Sequence, residues 1–351
     1  METINVATSK EYNVNIGSGF LNTLGEKVKE VKTPCRVVLI SDDIVFPLYG
    51  ETVKNSLEGN GYSVCEFVVA NGEESKSFEN YEKILEFCAE NSITRTDLFV
   101  ALGGGVVGDL TGFVASTYLR GVDFVQIPTT VLSMVDSSVG GKTAINLKAG
   151  KNLCGAFYQP IAVFADCDTL KTLPQEIFND GCAEIIKYGM ILDRAFLEFL
   201  QSNEIKDNIE YVIKRCVEIK RDVVSHDEFE NGERKLLNFG HTIGHAIEKC
   251  SGFSVSHGQA VAIGMVIATK GAYEVGMSEE DLSNVLLPIL KKNNLPTTCE
   301  FSADELYQAS LSDKKRSLDT MSLIVPEELG LCKVMKLPVE ELKNFIEKGM
   351  N

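Results

Sequence analysis

Three of the chain's four histidines fall within one short stretch, "NFGHTIGHAIEKCSGFSVSHG", residues 238–258. His241 and His245 are four apart, so a helix sets them on one face, and Glu248 continues that face. Ile243, Ala246, Ile247 and Cys250 form the apolar side of the same helix. An H-x-x-x-H pair with a third ligand is a common zinc arrangement, and a catalytic zinc keeps three protein ligands and an open position. By composition His257 is the obvious third ligand, and a nearby carboxylate is the alternative. Paired histidines are sometimes only core hydrogen-bonders, but three of four in one segment favour a metal. The remaining one, His226, reads as structural or as a surface residue.

A second chemistry-bearing stretch is "DLFVALGGGVVGDLTGFVAS", which reads as strand, glycines, helix. Gly103, Gly105 and Gly108 satisfy G-x-G-x-x-G. Such a turn lets backbone N–H groups and a helix N-terminus hold a pyrophosphate, although a bare match also occurs in ordinary βα turns. The ribose acid expected about 20 residues on would be Asp123. That residue opens its strand, whereas ligands of open α/β sheets sit beyond the strand carboxyl ends. Asp42 and Asp43 follow "CRVVLIS" at the correct end and are the better candidates. The stretch "IPTTVLSMVDSSVGGKTAINLKAGKNLCGAFYQP" (127–160) then gathers Asp136, Lys142, Lys151 and Asn152 among glycines. Its lysines suit phosphate or carboxylate as point charges; the alternative is a surface hairpin with solvated lysines.

Further along, Glu184 and Lys187 share a helix face in "GCAEIIKYGMI", either as an ordinary intrahelical ion pair or as part of a site. Lys220, Arg234 and Asn238 add cationic and amide groups ahead of His241.

The elements that must carry these groups fall into two textures. Up to about residue 172, short β-branched runs at 35–41, 62–69, 97–102, 122–127 and 162–166 alternate with periodic segments such as 77–92. That rhythm argues for a mostly parallel sheet covered by helices. Thr172, Pro174 and Gln175 then give a helix-start pattern. Helical periodicity dominates afterwards, over 174–201, 205–225, 233–250, 258–275, 280–293 and 303–311. The expectation is an α/β domain over 1–172 and an all-α domain over 173–351, with the active cleft between them.

Bulk properties narrow the function classes. A 351-residue chain is long enough for two domains, and a net charge of −16 argues against a nucleic-acid binder. It leaves room for a local basic pocket that takes a small anion. Ten scattered cysteines without a C-x-x-C pair read as reduced core thiols of a cytoplasmic protein. The first residues lack a secretory pattern, and no apolar run approaches ~18 residues, so no membrane span is expected.

Taken in order, "NGEESK", "LGGGVVGDLTGFVASTYLRG", the 127–160 block, "AEIIKYG", "RKLLNFGHTIGHAIE", "SHGQAVAIGM" and "SDKK" resemble the 3-dehydroquinate synthase family of sugar-phosphate cyclases over nearly the whole chain. The resemblance implies a Rossmann-like α/β domain for NAD followed by a helical domain, usually in a homodimer. It also implies a divalent metal, zinc or cobalt, on Glu184, His241 and His257, with His245 facing the substrate rather than the ion. For NAD it implies Asp42, Asn71, Gly72, Glu73, Lys76, Gly104, Gly105, Val106, Val107, Gly108, Asp109, Thr129, Thr130, Lys142, Lys151, Thr169, Leu170, Lys171 and Thr172. For a small anionic sugar phosphate it implies Asp136, Lys142, Asn152, Lys187, Lys220, Arg234, Asn238, His245, Lys314 and Lys315, with Arg120 reaching the partner subunit's phosphate site. Two positions depart from the family pattern: Gln259 stands where an acid is frequent, and Asp319 where glycine is common.

Overall fold

The β-branched runs of the first half form strands β1 (Glu2–Val6), β2 (Tyr12–Gly17), β3 (Arg36–Asp42), β4 (Ser63–Val69), β5 (Leu98–Gly103), β6 (Asp123–Pro128), β7 (Lys142–Leu147), β8 (Gly150–Phe157) and β9 (Ala162–Asp166). Between them lie helices α1 (Leu24–Val31), α2 (Glu51–Glu58), α3 (Phe78–Glu90) and α4 (Gly105–Thr117). The computed structural model describes residues 1–311 and 319–351. These divide into two units: Met1–Leu173 with Cys216–Glu228, and Pro174–Arg215 with Phe229–Asn351.

In the first unit seven strands form one sheet in the order β1-β2-β9-β6-β5-β3-β4, parallel except for the antiparallel β1–β2 edge. Side chains alternate between its faces. Val37, Leu39, Leu98, Val100 and Leu102 pack with Leu24 of α1 and Leu57 of α2. Val38, Ile40, Phe99 and Ala101 pack on the other face with Ile84 of α3 and Leu110 and Val114 of α4. Burial on both faces explains why β5 is a continuous apolar run rather than an alternating one. The chain leaves β3 outward to β4 and returns on β3's other side as β5. The carboxyl ends of β3 and β5 therefore flank a topological switch point, where open α/β sheets bind ligands. The glycine-rich 140–157 region is a separate two-stranded hairpin, β7–β8.

The second unit contains α5 (Gln175–Leu192), α6 (Arg194–Ser202), α8 (His241–Cys250), α9 (His257–Glu274), α10 (Ser283–Lys292), α11 (Ala303–Ser310) and α12 (Val339–Met350). The helix α7 (Ile209–His226) begins in this unit, and its residues from Cys216 belong to the first. The region is mainly helical, with one addition to the all-α expectation: β10 (Thr320–Glu328) and β11 (Leu331–Pro338) form an antiparallel hairpin turning at Gly330. Met321, Leu323 and Val325 of β10 join the core made by α8, α9, α11 and α12.

Two expected long helices are broken. The first, 174–201, stops at Asp193, whose Oδ1 accepts the N–H of Phe196 at 2.9 Å and so starts α6. The second, 233–250, becomes a 3-10 turn (Glu233–Asn238) and then α8. Between them Gly240 takes φ +78°, and a side chain there would meet the Val261 carbonyl at 2.7 Å. No described helix is long and apolar enough to cross a membrane.

Candidate active site

The helical unit brings Glu184 of α5, His241 at the start of α8 and His257 at the start of α9 together. One ligand atom from each lies within 4.8 Å of the others. Glu184 Oε1 stands 3.6 Å from His241 Nε2 and 3.5 Å from His257 Nε2. The Glu184 carboxylate is fully buried, an arrangement costly for a lone charge. Lys187, one turn on and equally buried, pairs with it. One carboxylate oxygen and two imidazole nitrogens around a common point suit a divalent ion and leave positions open for a ligand. His245 is exposed, and its ring lies 5.6 Å from that of His241 and 6.3 Å from that of His257. Spacing alone favoured the i, i+4 pair; the geometry instead brings the carboxylate in from another helix.

Local structure holds each ligand. The break at Gly240 lets His241 Nδ1 reach the Phe239 carbonyl at 3.0 Å. At α9 the N-terminal turn is capped from α5: Asp180 Oδ1 accepts the N–H of Gln259 at 3.1 Å and also bonds the Ser256 hydroxyl. A side chain at Gly258 would collide with the Asp180 carbonyl. Because the cap uses the Gln259 backbone, glutamine in place of an acid leaves this contact intact. Burial by itself would lower the His257 pKa. The Glu184 and Glu248 carboxylates outweigh it and, without a cation, hold the imidazole up at about 10. Arg234 is buried in the same unit, and Asn238 Nδ2 donates to Glu230 Oε1 at 2.6 Å. Glu230, at φ +62°, was not singled out from the sequence; an isolated acid in a loop gives no periodic signal.

The sheet unit carries a second constellation. Gly104 caps α4 without a side chain, leaving the first-turn N–H groups to a ligand. A side chain at Gly105 would stand 3.0 Å from Ser137 Oγ, and one at Gly108 2.6 Å from Gln126 Oε1. Val106 and Val107 lie in that turn, and Thr129 follows β6, its N–H bonded to the Gly103 carbonyl at 3.0 Å. Thr129 Oγ1 is buried and finds no hydrogen-bond partner among the described residues, as suits a hydroxyl awaiting a polar ligand. The neighbouring Thr130 Oγ1 pairs with Ser133 Oγ at 2.8 Å. These features fit a bound pyrophosphate.

Around this turn, Lys76 Nζ lies 2.6 Å from Asp109 Oδ2, 2.5 Å from Asn152 Oδ1 and 3.7 Å from Glu73 Oε1. Burial opposes the Lys76 charge, but Asp109 and Glu73 more than compensate and raise its pKa. Asn146, missed in the sequence, joins the set: it donates to Glu73 Oε1 at 2.7 Å and accepts the Asn152 N–H at 2.8 Å. Asp42 ends β3, and its Oδ1 accepts the N–H groups of Ile44 and Val45; Asn71 N–H donates to Asp43 Oδ1 at 2.8 Å. Gly72 takes φ +112°. Thr169, Leu170, Lys171 and Thr172 form a 3-10 segment after β9, tied to the Tyr49 hydroxyl through Thr169 O at 3.1 Å and Thr172 Oγ1 at 2.5 Å. Lys220 Nζ reaches both Asp136 Oδ1 and its carbonyl at 2.5 Å. Lys142 opens β7 and is exposed, whereas Lys151 in β8 is partly covered. Asp123 lies at the opposite end of the sheet from the glycine turn, paired with Lys10 at 2.7 Å and Lys32 at 2.9 Å. Arg120 is exposed with φ +69°. Lys314 and Lys315 lie outside the described residues.

The chain is similar to known proteins over nearly its whole length. Residues 66–180 match the family model described as 3-dehydroquinate synthase N-terminal, and 181–316 the one described as 3-dehydroquinate synthase C-terminal. The chain is 44% identical over 343 residues to the 3-dehydroquinate synthase of Enterococcus faecalis, covering 96% of each. To that of Clostridium acetobutylicum it is 42% identical over 341 residues, covering 95% of this chain and 96% of the relative. Among solved structures, a 2-deoxy-scyllo-inosose synthase complexed with carbaglucose-6-phosphate, NAD+ and Co2+ superposes with TM-score 0.89 at 26% identity, over 99% of this chain and all of that one. A glycerol dehydrogenase from Schizosaccharomyces pombe, at TM-score 0.66 and 16% identity over 96% of this chain and 88% of that one, shares the fold. With both family regions matched in order and relatives above 40% identity across the chain, the protein belongs to the 3-dehydroquinate synthase family.

Proposed function

We propose that this chain is a 3-dehydroquinate synthase, a phosphate-eliminating lyase that converts 3-deoxy-arabino-heptulosonate 7-phosphate into 3-dehydroquinate and inorganic phosphate in the shikimate route to aromatic amino acids. The observation that carries the reading is the Glu184–His241–His257 donor set around a buried carboxylate, in a chain whose sheet unit also has a glycine-rich helix N-terminus. Homologues named for this activity and the cyclase complexed with NAD+ and Co2+ support it.

Glu184, His241 and His257 would hold a zinc or cobalt ion, and the turn from Gly104 to Asp109 with Asp42, Glu73, Lys76, Thr129, Thr130 and the 169–172 segment would hold NAD. When bound, the ion supplies Lewis acidity at a carbinol oxygen and the nicotinamide a reversible hydride acceptor. The chain's own residues bind and orient. Arg234 and Lys187, with Lys142 and Lys220, would hold the anionic carboxylate and phosphate of the substrate, Asp136 keeping Lys220 in place at 2.5 Å; such positioning lowers a barrier by restricting geometry in advance. Asn152 and Asn238 offer amides to its hydroxyls. His245, which is exposed, would take and return a proton at the substrate. The substrate loses phosphate, opens its ring and closes it again through a carbon–carbon bond, with no net oxidation. Arg120, assigned to the phosphate of a partner subunit, makes a homodimer the working form, and the compartment proposed is the cytoplasm.

A sister cyclase acting on another sugar phosphate is the second reading, favoured by the full-length likeness to 2-deoxy-scyllo-inosose synthase. One assay separates them. Purified protein with NAD+, zinc and the heptulosonate phosphate is expected to release phosphate and form dehydroquinate without accumulating NADH. Turnover of sedoheptulose 7-phosphate or glucose 6-phosphate in its place establishes a sister cyclase, and accumulating NADH establishes a dehydrogenase.

A further inference from the structure

Glu248 has no part in the reaction described above, yet its carboxylate is only 4% exposed, and acids are rarely buried so deeply without a task. On α8 it lies seven residues after His241 and three after His245, so the three form one stripe. That stripe faces the first turn of α9. Glu248 Oε2 stands 3.6 Å from His257 Nδ1, while His257 Nε2 stands 3.5 Å from Glu184 Oε1. The imidazole is thus sandwiched between two carboxylates, one at each ring nitrogen.

His241 shows the same polarity. Its Nε2 points at the same Glu184 oxygen, 3.6 Å away, and its Nδ1 sits 3.0 Å from the Phe239 carbonyl. Each imidazole therefore turns Nε2 inward and Nδ1 toward an acceptor, but one acceptor is a neutral carbonyl and the other a carboxylate. An acceptor at the outer nitrogen fixes which nitrogen carries the proton and leaves the inner lone pair free for a cation. A carboxylate there also makes the ring a stronger donor and adds negative charge close to the ion.

We propose that Glu248 is a positioning residue of the metal centre: it accepts the Nδ1 proton of His257 and thereby aims Nε2 at the cation. The inference rests on reading Glu184, His241 and His257 as the metal ligands. From 3.6 Å, an approach of about 0.8 Å by the ring and the carboxylate together brings Oε2 to the length of a charge-assisted hydrogen bond, about 2.8 Å. The rival arrangement is a second cation held by His245, Glu248 and His257, whose ligand atoms also lie within 4.8 Å of one another.

The test is zinc binding by full-length chain, measured by competition with a chromophoric chelator and by metal analysis, beside nitrogen NMR of protein labelled in its histidines. Wild type is expected to bind one zinc per chain with His257 protonated at Nδ1. Glu248→Gln is expected to keep that stoichiometry with affinity reduced about 10- to 100-fold, and Glu248→Asp to recover part of the loss. Unchanged affinity in Glu248→Gln overturns the proposal, as does an unprotonated Nδ1 in zinc-loaded wild type, a reading independent of how any variant folds. Two zinc ions per chain, one lost in Glu248→Gln, establish the rival. Wild type that binds no zinc overturns the metal reading itself, a result distinct from all of these.

Discussion

Asp180 of α5 caps α9: its Oδ1 accepts the backbone N–H of Gln259 at 3.1 Å. One turn on from Asp180, α5 carries Glu184, and α9 begins with His257. The same contact that satisfies a helix end therefore sets the distance between two metal-ligand candidates. Replacing Asp180 with alanine is expected to cost about 1 kcal/mol of stability, the usual size of a lost cap. Zinc affinity should fall with it, and Asp180→Asn, which keeps an acceptor oxygen, should recover most of both. Denaturant unfolding and chelator competition on the two variants check this.

Dialysis against a strong chelator is expected to abolish dehydroquinate formation, and zinc or cobalt to restore it. Among variants, Glu184→Gln and His257→Ala should weaken zinc by more than about 100-fold, beyond the range of outer groups. His245→Ala should leave zinc binding nearly unchanged while turnover falls about 10²- to 10⁴-fold, the size of a lost acid–base group. Equal loss of zinc in His245→Ala would return the H-x-x-x-H pair to the ligand set.

The dinucleotide turn makes a separate prediction. A methyl at Gly108 would stand 2.6 Å from Gln126 Oε1, which itself lies on buried β6. Gly108→Ala is expected to destabilise the protein by about 1–3 kcal/mol through overpacking and to weaken NAD+ binding. The control is Gly252→Asn: its Cβ meets nothing within 4 Å, its φ of +59° is one that asparagine tolerates, and it lies in the other unit, so NAD+ affinity should be retained. Calorimetric titration of NAD+ into each variant reads the outcome.

Asp123 predicts a pH effect. Burial opposes ionisation of its carboxyl, but Lys10 and Lys32 outweigh that and hold its pKa below the ordinary value of 3.8. A depressed folded pKa means stability that is fully present above the unfolded pKa and is lost as pH falls through the folded one. Asp123→Asn is therefore expected to be less stable than wild type at pH ~7, with the gap closing only below pH ~4. Denaturation midpoints of the two proteins between those pH values test the sign.

Much of the site could be read from residue order because it lies at element boundaries that leave local marks. The end of β5, its glycines and the start of α4 follow from an apolar run, a turn and a helical period, and residue order separates Asp42 from Asp123 because the first ends its strand and the second opens one. The hairpin β10–β11 was also marked, by alternating apolar residues around Gly330, but those short runs sit among helices and lack their length. Glu230 and Asn146 were missed because a lone polar residue in a loop or strand has no periodicity.

What residue order determines by itself is the inventory: which imidazoles, carboxylates, ammoniums and glycines exist, and on which kind of element each stands. Tertiary structure alone decides which of them share a point in space. The three metal-ligand candidates come from three different helices, and their convergence depends on the left-handed Gly240, the side-chain-free Gly258 and the Asp180 cap. Helix periodicity relates residues only along one face of a single helix, whereas coordination needs donors a few ångströms apart whatever their separation along the chain.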